Sequence, residues 1–337
     1  MPTVAVFGAS GHTGRFVVAE LKRRGDSTVV LSGRDAERLK AIAAATPGSE
    51  VRVATADDPA SLDKALLGAD AVINCAGPFV DTAVPLVDAA IRARSHYLDV
   101  TAEQCVAKGL FDDYTEQAWD AGIVITPAIA FYGGVGDLLS TAALGGSPAE
   151  ADQIDIGIWL DSWHPTKGTR VTGERNAGRH VVYRNGRFEA PDPTPSKLEW
   201  IFPEPVGTQI VTDLFTPDQV TIPQHVRTPQ VRVYINLAPL HDLDSADTPA
   251  PRAADESGRS PQRFMVDAVV HRASKRLRAV ASGRDIYAVT APLVVEATDR
   301  ILTGRFKATG VVAAGANFDA QDFLQALSPE YLTVDLG

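Results

Sequence analysis

The chain has 337 residues, a net charge of −10 at pH 7 and two cysteines, Cys75 and Cys105. A chain of this length can bury a large core in one or two domains. The negative charge argues against nucleic-acid binding, and the two cysteines have the spacing of neither a metal site nor a disulfide framework. No apolar run is long enough to span a bilayer, so no membrane partner is expected. These features predict a globular protein in a reduced, cytoplasmic setting.

The first 150 residues alternate short apolar segments with longer amphipathic ones. Strands are predicted at 4–7, 28–31, 51–54, 71–75, 96–100 and 123–125. Helices are predicted at 16–24, 36–45, 59–67, 84–94, 104–121 and 136–144. Strict alternation of strands and helices is typical of a doubly wound parallel sheet, the Rossmann arrangement of α/β proteins.

The pattern changes after residue 150, where helical periodicity becomes scarce. Strands are predicted at 154–160, 231–237 and 264–271, and a hairpin at 181–188 turns at Asn185-Gly186. A polar stretch at 241–262 is interpreted as a mobile loop, and a helix returns at 287–303. We therefore predict a dinucleotide-binding domain at 1–150 and a mostly antiparallel sheet at 151–283. A C-terminal segment at 284–337 is predicted to pack back on the first domain.

A glycine-rich turn joins the first predicted strand to the first helix. It has the spacing G-x-x-G-x-x-G, which lets the chain turn sharply, approach a phosphate and pack the helix on the strand. Backbone N–H groups at the helix start then face an anion, which we interpret as the pyrophosphate of a dinucleotide. The predicted contacts are Gly8, Ser10, Gly11, His12, Thr13 and Gly14.

The residues at the end of the second strand determine which of the two nicotinamide cofactors is preferred. Ser32 and Arg34 suit the 2′-phosphate of NADP(H), whereas an acidic residue would hold the ribose hydroxyl of NAD(H). Asp35 is an acidic residue and would favour NAD(H). We nevertheless predict NADP(H), because Arg34 can bind the 2′-phosphate. Asp57, after the third strand, is a candidate acceptor for the adenine amine, and capping of the next helix is the alternative role for Asp58.

A second turn follows the fourth strand, at the edge of the sheet where the nicotinamide should sit. Gly77 permits a close approach and Pro78 makes the turn rigid. The alternative is a plain strand-to-helix connection. The predicted cofactor contacts of this turn are Asn74, Ala76, Gly77 and Pro78.

Four side chains are candidates for proton transfer. Alternation along the fifth strand places Tyr97 and Asp99 on one face. Tyr132 follows the sixth strand at the same sheet edge. His164 lies in an aromatic and charged stretch, 159–176, interpreted as a strand-exit loop that could line a substrate pocket. The alternative is that these four side chains have structural roles. For His96 and Glu103, which lie near Tyr97 and Asp99, a functional and a structural role are likewise both open.

Three motifs together resemble the saccharopine dehydrogenase-like oxidoreductases. They are Gly8-Ala9-Ser10-Gly11-His12-Thr13-Gly14, Ile73-Asn74-Cys75-Ala76-Gly77-Pro78-Phe79, and His96-Tyr97-Leu98-Asp99 with Glu103. The closing segments at 283–291, 310–312 and 318–319 are similar to the end of that family. The resemblance implies a Rossmann domain that binds NADP(H) or NAD(H), with an inserted α+β domain over the cleft. Members form or cleave secondary amines through an imine or reduce an enoyl double bond, and some have no known activity.

The sequence as a whole predicts an NADPH-dependent reductase that acts on a small molecule with an imine-type C=N bond. The alternatives are reduction of a C=C bond conjugated to a carbonyl, and a cofactor sensor that binds NADP(H) without turnover. A homodimer through the second sheet is expected from its exposed strands.

Overall fold

The computed structural model describes residues 1–145 and 149–337. In chain order, the strands are β1 (Thr3–Phe7), β2 (Thr28–Gly33), β3 (Glu50–Val53), β4 (Ala71–Asn74), β5 (His96–Asp99), β6 (Val124–Thr126), β7 (Gln153–Leu160), β8 (Val182–Arg184), β9 (Arg187–Glu189), β10 (Lys197–Ile201), β11 (Thr208–Asp213), β12 (Val231–Asn236), β13 (Arg263–Arg272), β14 (Lys275–Arg284), β15 (Gly310–Val311) and β16 (Leu332–Asp335).

The helices, again in chain order, are α1 (His12–Arg24), α2 (Ala36–Ala45), α3 (Pro59–Leu66), α4 (Phe79–Ala93), α5 (Gln104–Ala121), α6 (Gly136–Leu144), α7 (Lys167–Asn176), α8 (Asp218–Thr221), α9 (Ala238–Asp244), α10 (Thr290–Leu302), α11 (Ala314–Asn317) and α12 (Ala320–Leu327). In the part of the chain that the structure describes, no helix has the length and apolar character needed to cross a membrane.

Contacts divide the chain into two compact units. The first unit contains Met1–Ala130 and Thr290–Val312, and the second contains Phe131–Val289 and Ala313–Gly337. This division differs from the predicted domains, because the first unit ends 20 residues earlier than residue 150. Only the part from Thr290 to Val312 of the predicted C-terminal segment returns to the first unit. The rest joins the second unit, where β16 pairs with β14.

The first unit contains a parallel sheet with the strand order β15-β6-β5-β4-β1-β2-β3. Its central strands β1 and β4 are mostly apolar and buried, as expected for strands covered on both faces. Phe7, at the end of β1, is paired with Ser32 on one side and with Asn74 on the other. The turns that follow β1, β2 and β4 are therefore neighbours at one edge of the sheet, and the predicted Rossmann arrangement is confirmed.

The second unit contains a mixed sheet with the order β10-β11-β12-β7-β13-β14-β16, to which the β8–β9 hairpin is added beside β12. Only the β12–β7 pair of this sheet is parallel, so the predicted mostly antiparallel sheet is confirmed. The Trp200 indole covers Gly157 and donates a hydrogen bond to Asp267, 2.8 Å away. The hydrogen bond between Trp200 and Asp267 is thus a buried polar contact on the apolar face of this sheet.

Several predicted boundaries are wrong. The first helix starts at His12 rather than residue 16, and the fourth starts at Phe79 rather than residue 84. The predicted strand-exit loop at 168–176 is helical, because it forms most of α7. Similarly, α9 occupies the start of the predicted loop at 241–262.

Candidate functional site

The glycine-rich turn lies between β1 and α1. Gly8 has a φ of +85°, and a Cβ there would lie 2.8 Å from the amide nitrogen of Ala76. A Cβ on Gly14 would lie 2.2 Å from the carbonyl oxygen of Gly8, so only glycine lets α1 begin this close to β1. Gly11, the N-cap residue of α1, has no side chain with which to cap the helix. The geometry suits an anion at the start of α1.

The other predicted residues of this turn lie beside the helix start. The Ser10 carbonyl oxygen accepts a hydrogen bond of 3.4 Å from the Arg15 guanidinium. The His12 ring packs edge-on against Phe16, with 5.4 Å between ring centroids. Thr13 is half-buried in the first turn of α1. All six predicted residues of the turn therefore lie around the start of α1.

Ser32, at the end of β2, fixes the glycine turn. Its carbonyl oxygen accepts hydrogen bonds from the amides of Gly8 and Ala9, at 2.9 and 3.2 Å. Its hydroxyl oxygen is buried and has no hydrogen-bond partner among the described residues. A buried polar atom without a partner costs free energy unless a ligand satisfies it. The Ser32 hydroxyl thus fits a cofactor contact at this sheet edge.

The two charged residues after β2 have different environments. Asp35 caps α2, because its carboxylate accepts a hydrogen bond of 3.0 Å from the Arg38 amide and pairs with the Arg38 guanidinium at 3.2 Å. Arg34 is exposed, and the described residues offer its guanidinium neither a hydrogen bond nor an ion pair. The acidic residue that would favour NAD(H) is thus engaged, while the basic residue that suits a 2′-phosphate is available.

The two carboxylates after β3, those of Asp57 and Asp58, have different roles. Asp58 caps α3 by accepting a hydrogen bond of 3.1 Å from the Ala60 amide, which was the alternative role for this residue. Asp57 is exposed, and a hydrogen bond from Thr55 lowers the pKa of its carboxyl group. Asp57 is therefore the carboxylate of this pair that can accept a bond from a ligand.

The turn after β4 is shaped by Asn74, which is fully buried. The side-chain oxygen of Asn74 accepts a hydrogen bond of 3.0 Å from the Ala76 amide. The Ala76 carbonyl in turn accepts one of 2.6 Å from the Thr82 hydroxyl. Gly77 is exposed, and Pro78 is the N-cap residue of α4. The turn therefore presents its backbone beside Gly8, at the edge where a dinucleotide crosses such a sheet.

Tyr97 and Asp99 lie on one face of β5, as alternation predicts. The Tyr97 hydroxyl donates to Asp99 at 3.0 Å and accepts from the Asn74 amide at 3.1 Å. The second oxygen of Asp99 accepts hydrogen bonds from the amides of Thr101 and Ala128, at 3.0 and 2.8 Å. Burial raises the pKa of Asp99 to about 6 and that of Tyr97 well above its usual value. The structure brings these two candidates together in a network that also supports the β4 turn.

The two neighbours of this pair have structural roles. The His96 ring accepts a hydrogen bond of 2.9 Å from the Val124 amide, which joins β5 to β6. Glu103 is fully buried, and its carboxylate accepts from the amides of Phe79 and Val80 at 2.7 and 3.0 Å. Glu103 therefore caps the start of α4, although it lies more than 20 residues away in sequence. Its position before α5 gave no signal of this role.

Tyr132 lies in the second unit, in an irregular turn at Phe131–Val135. Its hydroxyl oxygen is buried, and the described residues supply it with no hydrogen-bond partner. Burial raises the pKa of Tyr132 well above its usual value, so the group stays protonated. Its ring lies 5.7 Å from that of Trp163. Tyr132 is therefore a buried hydrogen-bond donor to which the described residues supply no partner.

His164 is half-buried in the second unit, where it lines a cavity of about 270 Å³ together with Tyr287. The Tyr287 hydroxyl accepts a hydrogen bond of 3.1 Å from the Trp163 indole. Arg170, a charged residue of the predicted strand-exit loop, donates to the backbone carbonyls of Ser245 and Thr248, each at 3.0 Å. His164 thus lines a cavity, and its role at a substrate stays a prediction, whereas Arg170 fixes α7 to the chain beyond α9.

The chain is similar to known proteins in ways that agree with this geometry. Residues 4–125 match the family model described as the saccharopine dehydrogenase NADP binding domain. A probable mitochondrial saccharopine dehydrogenase-like oxidoreductase of Arabidopsis thaliana is 30% identical over 213 residues, which cover 57% of this chain and 47% of that protein. A putative trans-acting enoyl reductase of Mycobacterium tuberculosis is 31% identical over 133 residues, covering 38% of this chain and 32% of that protein.

The fold is shared along the whole chain with a solved structure. Apo saccharopine dehydrogenase (L-Glu forming) from Saccharomyces cerevisiae has a TM-score of 0.70 at 14% identity, and 99% of each chain is covered. The matched part of this chain spans about half the length of the plant relative and about a third of the mycobacterial one.

The sheet order and the glycine turn define a dinucleotide-binding protein of the Rossmann class. Within this class, the chain is similar to saccharopine dehydrogenase-like proteins, both in its matched cofactor domain and in the plant relative. Residues 4–125 match the saccharopine dehydrogenase NADP binding domain, and the cofactor of the first unit is NADP(H).

Proposed function

We propose that the protein is an NADPH-dependent oxidoreductase that reduces a small imine. The observation that carries the proposal is the glycine turn that Ser32 fixes at the start of α1, with the available guanidinium of Arg34 two residues further on. When bound, NADPH supplies a hydride to an electron-poor carbon. The residues of the chain bind the pyrophosphate at the start of α1 and the 2′-phosphate at Arg34, and the turn after β4 positions the reactive end.

The candidate acids of the first unit favour an imine as the substrate. Tyr97 and Asp99 are bonded to each other, and the remaining Asp99 oxygen is held by two backbone amides. A protonated imine already carries its positive charge, so its carbon accepts a hydride without a strong acid from the chain. The product is an amine, which takes no further proton in the same step. This chemistry suits a first unit whose acids are occupied by structural hydrogen bonds.

Tyr132 supports a second candidate function, reduction of a C=C bond conjugated to a carbonyl. Hydride addition to such a bond places negative charge on the carbonyl oxygen, which needs a hydrogen-bond donor. The Tyr132 hydroxyl is protonated, buried and without a partner among the described residues. Relatives named as enoyl reductases also match this chain, over 133 residues.

Stopped-flow measurement of NADPH oxidation separates these functions. We expect oxidation with a panel of cyclic imines or amine–keto-acid pairs. Oxidation only with enoyl compounds would replace the first proposal by the second, and Tyr132→Phe should then lower the rate. Tight NADPH binding without oxidation by any compound would contradict both and indicate a cofactor sensor.

The preference for NADPH is tested by Arg34→Ala, with Lys40→Ala as the control on the exposed side of α2. Loss of hydrogen bonds to a phosphate should weaken NADPH binding by about 10- to 100-fold and leave NADH binding unchanged. Equal weakening of both cofactors would argue against a 2′-phosphate contact at Arg34. Lys40 pairs with Glu37 at 2.8 Å, so its replacement should change neither affinity.

We also propose that the protein is a homodimer joined through the second sheet. Strand β10 lies at the end of that sheet, and Ile201 and Ile210 are 68% and 46% exposed on the same face of β10 and β11. Light scattering should give the mass of a dimer, and Ile201→Lys should reduce it to that of a monomer. Leu67→Lys, at an equally exposed position of the first unit, should leave the dimer intact. A monomeric wild-type protein would contradict this proposal.

The cytoplasmic setting of the protein stays a prediction.

A further inference from the structure

The second unit contains a cavity that is lined by its own residues. Its volume of about 270 Å³ lies just below the range of about 300–1,000 Å³ that is usual for pockets of drug-sized ligands, so it suits a smaller molecule. The chain after β7, a proline-containing segment and the residues before α10 form its wall. The residues that define it are His164, Pro249, Pro251, Arg252, Pro261 and Tyr287.

Two of the side chains that line this cavity are basic. The described residues provide neither the His164 ring nor the exposed Arg252 guanidinium with a hydrogen bond or an ion pair. Of the described residues that line the cavity, none is acidic. The carboxylates beneath it are occupied by backbone amides: Asp285 accepts from Ser260 at 2.6 Å, and Asp242 accepts from Trp163 at 2.9 Å. The Arg252 guanidinium and the His164 ring therefore line the cavity, while the nearby carboxylates are satisfied elsewhere.

The rest of the wall is apolar and held in place. Three prolines supply stiff apolar surface, and the Tyr287 ring is fixed through its hydroxyl. That hydroxyl is bonded to the Trp163 indole at 3.1 Å and to the Thr169 hydroxyl at 2.9 Å. A rigid apolar wall binds an apolar body at a low entropic cost.

We propose that this cavity is a binding site for a small organic acid, whose carboxylate is held by Arg252 and His164 and whose apolar body lies against the prolines and Tyr287. Arginine suits this role because its planar guanidinium matches a carboxylate with two parallel hydrogen bonds. Every residue in the assignment belongs to the second unit, so binding can be measured without NADP(H).

Calorimetric titration of the full-length protein with benzoate tests the site, with uncharged benzamide as the matched ligand of the same shape. We expect saturable binding of benzoate and at least tenfold weaker binding of benzamide. No heat with benzoate or hexanoate while the protein is folded, or equal affinity for benzamide, would overturn the proposal.

Two substitutions locate the binding. Arg252→Gln should weaken benzoate binding by about tenfold or more, and His164→Asn should weaken it as well. Arg276→Gln is the control, because Arg276 is also exposed, has no partner among the described residues and lies outside the cavity. Thermal unfolding of each variant confirms that it is folded. Wild-type affinity in Arg252→Gln, or an equal loss in Arg276→Gln, would overturn the assignment to this cavity.

Discussion

Replacing Gly14 by alanine tests whether close packing of α1 on β1 creates the cofactor site. The new Cβ would lie 2.2 Å from the Gly8 carbonyl oxygen, and contacts below 3.0 Å are essentially never seen, so the start of α1 must move by about 0.8 Å. Forcing a group into a packed site costs about 1–3 kcal/mol of unfolding free energy. The same movement shifts the amides that face the pyrophosphate, so NADPH affinity should fall by about 10- to 100-fold.

Gly109→Ala is the matched control, because Gly109 lies inside α5 of the same unit and a Cβ there meets no atom within 4 Å. It should raise the unfolding free energy by about 0.5–1 kcal/mol, since alanine favours a helix over glycine. Urea unfolding gives the stability of both variants, and calorimetry gives their NADPH affinity. If Gly14→Ala bound NADPH as tightly as Gly109→Ala, close packing of α1 would not explain the cofactor site.

The remaining predictions concern buried contacts, each measured by urea unfolding. Gly157→Ala should lower the unfolding free energy by about 1–3 kcal/mol, because its Cβ would lie 2.4 Å from the Trp200 indole; Gly173→Ala, where a Cβ meets no atom within 4 Å, should not. Glu103→Gln should cost about 1–3 kcal/mol, because one of the two amides that it caps loses its acceptor; wild-type stability would contradict that cap. The raised pKa of Asp99, about 6 in the folded protein, means that the folded state holds its proton more tightly than the unfolded state does. Wild-type stability should therefore fall as pH rises from about 4 to 6, by up to about 3 kcal/mol from this group, and Asp99→Asn should remove that part of the slope. An unchanged slope in Asp99→Asn would contradict the shift.

The sequence predicts the glycine turn between β1 and α1 because its signals are local. Gly8, Gly11 and Gly14 sit at a fixed spacing directly after a strand, and their roles follow from steric limits on a Cβ. Alternation along β5 is equally local, and it places Tyr97 and Asp99 on one face, where the structure finds them bonded.

The rest depends on contacts between distant parts of the chain. Glu103 caps a helix more than 20 residues earlier in sequence, so no pattern around it signals that role. The segment at 168–176 contains Gly168, Gly173 and two threonines, which disfavour a helix, yet it forms most of α7 behind the Thr166 cap. The first residues of β14 are polar, so their sequence does not predict a strand. In the structure the Arg278 guanidinium is hydrogen-bonded to Asp267 on the neighbouring β13, a partner that the local sequence does not reveal.

The central claim is that the first unit binds NADP(H) through the start of α1. Calorimetric titration of the full-length wild-type protein with NADPH tests it most directly. The structure predicts saturable binding of one NADPH per chain, with weaker binding of NADH. A folded protein that gives no heat with either cofactor would contradict the claim.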